Sequence, residues 1–256
     1  MSINSNEAVS DQYATSENLD IRIRLHAKYS TNRQGFNTWI VTNYDIRPNM
    51  RILELGCGTG VGWKGNVGLL RDCQRVVFTD FSPAILSEAE HTIGAHDNVA
   101  YEVADAQDLP YPDRSFDIVI ANMMLYHVPH LEVALSEIRR VLREGGTLYT
   151  ATFGERSLAS GINRMLGIDS KTDGPFTLQN GRELLQRYFS SVERRDYEDG
   201  LRITEKDDLI EYIRSLKDMT EWSRFSAEEL SELLGTYEHD GVISLPKEYG
   251  MFVSKP

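Results

Sequence analysis

The stretch Ile52-Leu53-Glu54-Leu55-Gly56-Cys57-Gly58-Thr59-Gly60 decides the fold of this 256-residue chain. It begins as an apolar run, breaks into three alternate glycines and is followed by an expected helix. Because glycine has no Cβ, the backbone can turn sharply there and lie directly against a ligand, and a helix start offers unpaired N–H donors. The stretch predicts a β-strand that ends at a nucleotide.

Two interpretations of the glycines are open. The dinucleotide fingerprint of dehydrogenases, Gly-x-Gly-x-x-Gly, is matched by Gly60, Gly62 and Gly65, and would make the protein a nicotinamide-dependent oxidoreductase. However, that fingerprint should start where the strand ends, and Gly60 lies well past Leu55. The pattern that does start at the strand end is acidic-x-Gly-x-Gly-x-Gly, which begins at Glu54.

Two further predicted strands end in acidic residues. A β-rich run over residues 75–81 carries Asp80, twenty residues beyond Gly60, and Ser82-Pro83 then predicts a helix start. An ionised carboxylate at this point can accept hydrogen bonds from both hydroxyls of a ribose. The third strand, over residues 99–105, ends at Asp105-Ala106, and a fourth strand follows over residues 115–121.

These strand ends, in this order, resemble class I S-adenosylmethionine-dependent methyltransferases over about residues 48–154. The similarity is to the small-molecule type, like the methyltransferase-11 and methyltransferase-25 families. It implies S-adenosylmethionine as cofactor, with the methionine end at the glycine loop, the ribose on Asp80 and the adenine by Asp105 and the N–H of Ala106. Phe81 suits one adenine face. The expected cofactor-binding residues are Tyr29, Glu54, Gly56, Gly58, Gly60, Asp80, Phe81, Asp105, Ala106 and Asn122.

The resemblance and the alternation of helical and strand patterns predict an α/β fold with a doubly wound, Rossmann-like, seven-stranded and mostly parallel sheet. Helices are expected on both faces. We expect a single domain over 1–256, with an N-terminal helical lid (1–46), a cofactor-binding core (47–154) and a C-terminal half with acceptor-side insertions (155–256). A helix over 131–142 should precede a fifth strand over 147–153. Residues 241–245 and 247–253 are predicted as the last sheet strands, joined by a turn or hairpin.

Charge and composition disfavour several partners. A formal net charge of −12 argues against a nucleic-acid substrate, because phosphate binding usually needs a lysine- and arginine-rich face. The chain start lacks the basic and apolar pattern of a signal peptide, and no apolar run is long enough to span a bilayer, so we expect a cytoplasmic protein without membrane contacts. Two cysteines and six histidines show no metal-ligand spacing, so no metal site is expected.

The predicted function is transfer of the methyl group of S-adenosylmethionine to a small molecule. Holding an acceptor in line with an activated methyl group lowers the barrier substantially without further groups. If the acceptor arrives protonated, His127, in the loop after the fourth strand, is the best candidate for a general base. The acceptor atom (O, N, S or C) and the oligomeric state are open, and a cofactor-binding partner protein without its own chemistry is a third hypothesis.

Overall fold

A seven-stranded sheet organises the larger of two units in the computed structural model, which describes residues 16–168, 174–216 and 221–256. This unit comprises Gln34–Gly154, Gly174–Tyr197 and Tyr249–Pro256. The sheet order is β3-β2-β1-β4-β5-β10-β6. Its strands are β1 (Arg51–Leu55), β2 (Arg75–Asp80), β3 (Val99–Val103), β4 (Phe116–Ile120), β5 (Leu142–Phe153), β6 (Ser191–Tyr197) and β10 (Tyr249–Lys255).

The first five strands in this order, β3, β2, β1, β4 and β5, run parallel to one another. Strand β10 runs antiparallel to both of its neighbours, β5 and β6. Every residue of β4 is buried, as expected for a strand covered on both faces. Alternate side chains of β1 point to opposite faces, so Leu53 and Leu55 join one core cluster and Ile52 joins another. The expected seven-stranded, mostly parallel α/β sheet is confirmed.

The helices of this unit are α2 (Phe36–Thr42), α3 (Pro83–Ile93), α4 (Leu131–Val141) and α6 (Gly181–Leu185). The start of α3 follows the prediction: Ser82 caps it by accepting a hydrogen bond from the N–H of Ile85. The α-helix expected directly after the glycine loop is absent. Instead, two 3₁₀ turns form at Val61–Trp63 and Val67–Leu70, because glycines at 62, 65 and 68 each weaken an α-helix by about 1 kcal/mol.

Two strand predictions were wrong in detail. Strand β5 begins at Leu142 rather than at residue 147, and its pairing with β4 contains an irregularity that takes up the extra residues. The two final strands do not form a hairpin: β9 (Val242–Pro246) lies in a separate sheet of the smaller unit, and β10 joins the main sheet. Ile243 and Leu245 pack in the core of the smaller unit, whereas Phe252 packs in that of the larger one.

The smaller unit comprises the chain up to Arg33, Glu155–Asp173 and Glu198–Glu248. It contains a three-stranded antiparallel sheet of order β7-β9-β8, and its own hydrophobic core. Its remaining elements are α1 (Ser16–Tyr29), α5 (Leu158–Met165), β7 (Gly200–Ile203), α7 (Lys206–Ser215), α8 (Ala227–Gly235) and β8 (Glu238–His239). The expectation of one domain with three consecutive segments stays a prediction. No helix in the described ranges is long and apolar enough to cross a bilayer.

A buried ion pair joins segments of the smaller unit that are distant in sequence. The carboxylate of Asp199 accepts a hydrogen bond of 2.6 Å from Nζ of Lys247, and both side chains are almost completely buried. It also accepts from the hydroxyl of Ser30 and the main-chain N–H of Asn32. Burial by itself would raise the pKa of Asp199, but the hydrogen bonds from Lys247 and Ser30 lower it to about 2.

Candidate cofactor site and active site

The glycine loop leaves the carboxyl end of β1 at the position where ligands bind in open α/β sheets. On one side of β1 the sheet continues with β2 and then β3, and on the other side it continues with β4 and then β5. The strand order therefore reverses between β1 and β4, which opens a crevice beside the strand ends. The ends of β1 to β4 all lie at this edge because these strands are parallel.

Asp80, the last residue of β2, is held in place by the glycine loop itself. Its Oδ2 accepts a hydrogen bond of 3.1 Å from the N–H of Gly58, and its Oδ1 accepts one of 3.0 Å from the N–H of Ser82. Each carboxylate oxygen has further lone pairs, so the partly buried group can still accept from two hydroxyls. The structure thus brings Asp80 and Gly58 together, and the role of Asp80 at a ribose stays a prediction.

The glycines at 56 and 58 are required for different reasons. Both have positive φ angles, of 62° and 56°, a backbone conformation that residues with a Cβ rarely adopt. A Cβ at Gly56 would lie 2.9 Å from the Cβ of Met124, whereas a Cβ at Gly58 would meet no protein atom within 4 Å. Gly56 therefore allows the β1 and β4 loops to approach, and Gly58 leaves its peptide group accessible.

Asp105 follows β3 and forms a compact turn. Its carboxylate accepts hydrogen bonds from the main-chain and side-chain N–H groups of Gln107, at 2.8 and 3.0 Å to Oδ1. Ala106, between them, is buried. Phe81 and Val103, beside the ends of β2 and β3, are both more than half exposed although they are large and apolar. These two exposed apolar side chains lie next in sequence to, or two residues from, the strand-end acids Asp80 and Asp105, and the role of Phe81 at an adenine stays a prediction.

Glu54 is a buried acid in β1, directly below the loop. Its Oε2 accepts a hydrogen bond of 2.5 Å from the indole N–H of Trp63. Burial raises the pKa of Glu54 to about 7, and the bond from Trp63 opposes that rise. The carboxyl group is therefore poised between its two protonation states near neutral pH.

The side chain of the predicted site residue Asn122 has a partner, Tyr44, that the sequence did not reveal. The hydroxyl of Tyr44 is buried and accepts a hydrogen bond of 2.5 Å from Nδ2 of Asn122, whose Oδ1 in turn accepts from the N–H of Ala151. Both polar ends of Asn122 are thus used within the protein. Because Tyr44 and Asn122 are 78 residues apart, no local pattern could signal the pair.

The loop after β4 is strained. Met123 has a φ of 53°, a left-handed backbone conformation that is uncommon for a residue with a long side chain. A 3₁₀ turn over Leu125–His127 follows, with His127 exposed and its ring centroid 4.4 Å from that of Tyr126. Desolvation by the surrounding protein lowers the pKa of His127, so its imidazole is neutral near pH 7. The catalytic role of His127 stays a prediction.

Two other predictions concern different parts of the chain. Tyr29 is buried in the smaller unit, where its hydroxyl donates a hydrogen bond of 2.7 Å to Oδ2 of Asp208, and its role at the cofactor stays a prediction. In the described part of the chain, no three His, Cys, Asp or Glu residues are grouped so that they could hold a metal ion. Cys57 and Cys73 are both free thiols.

The dinucleotide interpretation of Gly60, Gly62 and Gly65 lacks its structural context. That fingerprint requires a strand end followed at once by an α-helix that receives the pyrophosphate. Here Gly60 lies five residues beyond the end of β1, and 3₁₀ turns follow it. The pattern that begins at Glu54 does have its expected context, because the glycine loop follows the end of β1 directly.

Comparison with protein families agrees with this geometry. Residues 53–150, from β1 to β5, match the family model described as a methyltransferase domain. Residues 53–150 are a class I, S-adenosylmethionine-dependent methyltransferase domain. The cofactor of this methyltransferase domain is S-adenosylmethionine, and Glu54, the three glycines, Asp80, Asp105 and Asn122 lie within the matched residues.

Two curated methyltransferases are similar to this chain over part of its length. The chain is 33% identical over 113 residues to the ubiquinone/menaquinone biosynthesis C-methyltransferase UbiE of Ectopseudomonas mendocina, covering 43% of this chain and 44% of that protein. It is 35% identical over 108 residues to a malonyl-[acyl-carrier protein] O-methyltransferase of Halorhodospira halophila, covering 42% of this chain and 36% of that protein. The chain thus spans less than half of the length of these curated relatives.

A solved structure shares the fold over a longer stretch. Phosphoethanolamine N-methyltransferase 2 of Haemonchus contortus, solved with phosphomonomethylethanolamine and S-adenosylhomocysteine, superposes with a TM-score of 0.60 at 18% identity. The superposition covers 100% of this chain and 60% of that one. At this identity the likeness concerns the fold of the methyltransferase domain and its surroundings.

Proposed function

We propose that this chain transfers the methyl group of S-adenosylmethionine to a small-molecule acceptor. The observation that carries the proposal is the hydrogen bond from the Gly58 loop to Asp80 beside the switch point of the sheet, with Asp105 after the neighbouring parallel strand β3, within the methyltransferase domain. A single carboxylate at a strand end is common, but two of them beside an accessible glycine loop form a set of acceptors that fits this one cofactor.

The chain's own residues divide the work of binding. The two oxygens of Asp80 accept from the ribose hydroxyls while the N–H groups of Gly58 and Ser82 keep the carboxylate oriented. Asp105 accepts from the adenine amino group, and Phe81 covers a face of the ring. Charge-assisted hydrogen bonds of this kind are stronger than neutral ones, so the two carboxylates fix both position and orientation.

The cofactor, when bound, supplies an activated methyl group, so the protein needs mainly to orient the acceptor and exclude water. Bringing the acceptor atom in line with the methyl group can itself supply on the order of 7 to 11 kcal/mol. His127 accepts the acceptor's proton if that acceptor is bound in its protonated form. Its lowered pKa keeps the imidazole neutral and able to do so.

We assign acceptor choice to parts of the chain outside residues 53–150. The two curated relatives above share this domain yet are named as a C- and an O-methyltransferase, so the domain alone does not select the acceptor atom. The net charge of −12 supports a small molecule over a nucleic acid, since no excess of basic residues is available for phosphates.

The test is incubation of the protein with methyl-labelled S-adenosylmethionine and a deproteinised, nucleic-acid-free metabolite extract. We expect label in a small-molecule fraction that is distinct from the cofactor and its product. An extract kept whole serves as comparison: label found only in protein or nucleic acid would contradict the proposed acceptor class. Cofactor binding without any transfer, in extracts from several growth conditions, would favour a partner protein without its own chemistry.

A further inference from the structure

Aromatic side chains from neighbouring strands line the carboxyl edge of the main sheet. Phe153 is the last residue of β5, Tyr249 is the first of β10, and Tyr197 is the last of β6. The register pairs Tyr249 with Phe153 on one side and with Tyr197 on the other. Because directly opposed residues of antiparallel strands point to the same face, the three side chains lie in a row on one face of the sheet.

The row continues through ring contacts at both ends. The ring centroid of Tyr126 lies 4.7 Å from that of Phe153, and His127 follows Tyr126 in the loop after β4. On the other side, Phe36 of α2 stacks against Tyr249, with centroids 4.8 Å apart. All of these residues belong to the larger unit. The aromatic row, which begins beside the candidate base His127, thus comprises Tyr126, Phe153, Tyr249 and Tyr197.

The part of the aromatic row nearest to His127 is accessible. Tyr126, Phe153 and Tyr249 are each partly exposed, whereas Tyr197 is buried. Aromatic rings bind other rings through stacked or edge-to-face contacts, which add to the effect of burial. The accessible rings therefore suit a flat aromatic ligand. Phe153 and Tyr249 also lie outside residues 53–150, in the part of the chain to which we assign acceptor choice.

The surroundings of His127 favour an uncharged ligand. Burial lowers the pKa of His127, and no charged side chain among the described residues adds to that shift. The carboxylate of Glu248, which precedes Tyr249 in sequence, accepts a hydrogen bond of 2.9 Å from the main-chain N–H of Arg156 and pairs with its guanidinium. An ammonium ion is also attracted to aromatic faces, but the aromatic row contains no acidic residue to balance its charge.

A phenol combines these properties with a use for the candidate base. Its ring is flat and largely apolar, and its hydroxyl, like that of tyrosine, has a pKa of about 10 and arrives protonated at neutral pH. The oxygen is a weak nucleophile until that proton is removed, so the neutral imidazole of His127 can accelerate its attack. An aliphatic alcohol is much less acidic, and imidazole removes its proton far less readily.

We propose that the acceptor is an uncharged phenol whose ring lies against Phe153 and Tyr249 and whose hydroxyl faces His127. The phenol O–H bond breaks and its proton passes to His127. A bond forms between the phenol oxygen and the methyl carbon, while the bond from that carbon to the cofactor's sulfur breaks and leaves its electron pair on the sulfur. The product is an aryl methyl ether, and His127 returns the proton to solvent. The inference rests on the proposed function and names its acceptor class.

The product of methyl transfer tests the acceptor class. It is purified from the metabolite extract after incubation with isotope-labelled S-adenosylmethionine and analysed by NMR, which shows the atom that carries the new methyl group. We expect an oxygen attached to an aromatic ring. A methyl group on nitrogen, sulfur, carbon or an aliphatic oxygen would overturn the inference and leave the proposed function intact. Absence of any methylated small molecule would overturn both.

Two variants test where the phenol lies. Phe153→Leu and Tyr249→Leu remove a ring and keep an apolar side chain, so each should raise KM for the purified acceptor by about 3- to 10-fold and leave the affinity for S-adenosylhomocysteine unchanged. The control is Tyr111→Leu, which removes a ring that packs on Phe116 at the start of β4 and should not change KM. A KM that rises equally in all three variants, or in none, would overturn the inference.

Discussion

The main-chain N–H of Gly58 donates a hydrogen bond of 3.1 Å to Oδ2 of Asp80, and so joins the loop after β1 to the end of β2. The bond orients the carboxylate that we propose for the ribose, and its donor is the peptide N–H of a residue with a φ of 56°. In the proposed binding mode, the glycine loop is part of the ribose site as well as of the methionine site.

The first prediction compares two alanine substitutions in the glycine loop. Gly58→Ala should cost about 1 to 2 kcal/mol in unfolding free energy, because the positive φ is strained while the new Cβ has space. Gly56→Ala should cost at least about 1 kcal/mol more, because its Cβ would overlap Met124. Urea unfolding at neutral pH measures both. Equal losses would show that Met124 moves aside.

The second prediction concerns general-base catalysis. With an identified acceptor that binds protonated, His127→Ala should lower kcat by about 100-fold or more and leave the affinity for S-adenosylhomocysteine unchanged. His130→Ala, in the same loop, is the control and should keep most activity. Because the pKa of His127 is lowered, wild-type kcat should fall only below pH 6.5. An unchanged kcat in His127→Ala would mean that orientation alone carries the reaction.

The third prediction concerns the ligand-free protein and pH. Burial raises the pKa of Glu54 from 4.5 to about 7, so neutral Glu54 favours folding fully below pH 4.5, and this contribution is lost as pH rises through 7. Relative to Glu54→Gln, wild-type stability should therefore fall by about 2 to 3 kcal/mol between pH 4.5 and pH 8. Urea unfolding at several pH values measures this difference. If the unfolding free energies of the two proteins had the same pH dependence, ionisation of Glu54 would not destabilise the folded protein.

The fourth prediction concerns the smaller unit. Asp199→Asn leaves Lys247 charged and buried, so it should destabilise this unit by about 3 to 5 kcal/mol at pH 7. Asp208→Asn, which removes a more exposed pair with Lys28, should cost about 1 kcal/mol or less. The folded-state pKa of Asp199 is depressed to about 2, so its contribution is present above pH 4 and lost as pH falls through 2. Urea unfolding monitored by Trp222 fluorescence, with Trp39 and Trp63 replaced by phenylalanine in every protein compared, measures the two losses in unfolding free energy. Similar losses would contradict the difference in burial.

The cofactor half of the fold could be predicted because its signals are local. A buried parallel strand is indicated by an apolar run, and Asp80 and Asp105 lie at or just after the ends of such runs. Because neighbouring parallel strands end at the same edge of the sheet, both acids were expected at one edge. The 3₁₀ turns after Gly60 were missed because an apolar and glycine-rich segment has no pattern that separates them from an irregular α-helix. Pairs such as Tyr44 and Asn122 could not be predicted, because they depend on packing between distant segments of the chain.

The C-terminal strands show a different limit. Residues 242–246 and 249–255 both read as strands, and Pro246 between them indicates a turn, so a hairpin was the simplest expectation. Their partners are decided by which core receives their apolar side chains. That choice depends on β7 and on residues 155–168, whose sequence carries no comparable motif. The Asp199 cluster was missed for the same reason, since its members are up to 169 residues apart.

The most direct test of the account is a calorimetric titration of S-adenosylhomocysteine and NAD into the wild-type protein and Asp80→Ala. We predict that S-adenosylhomocysteine binds the wild type and that Asp80→Ala weakens it by about 1 to 3 kcal/mol, because charge-assisted hydrogen bonds to the ribose are lost. NAD should give no binding heat. Binding of NAD without a response to S-adenosylhomocysteine, or equal affinities of wild type and Asp80→Ala, would contradict the assignment of this site.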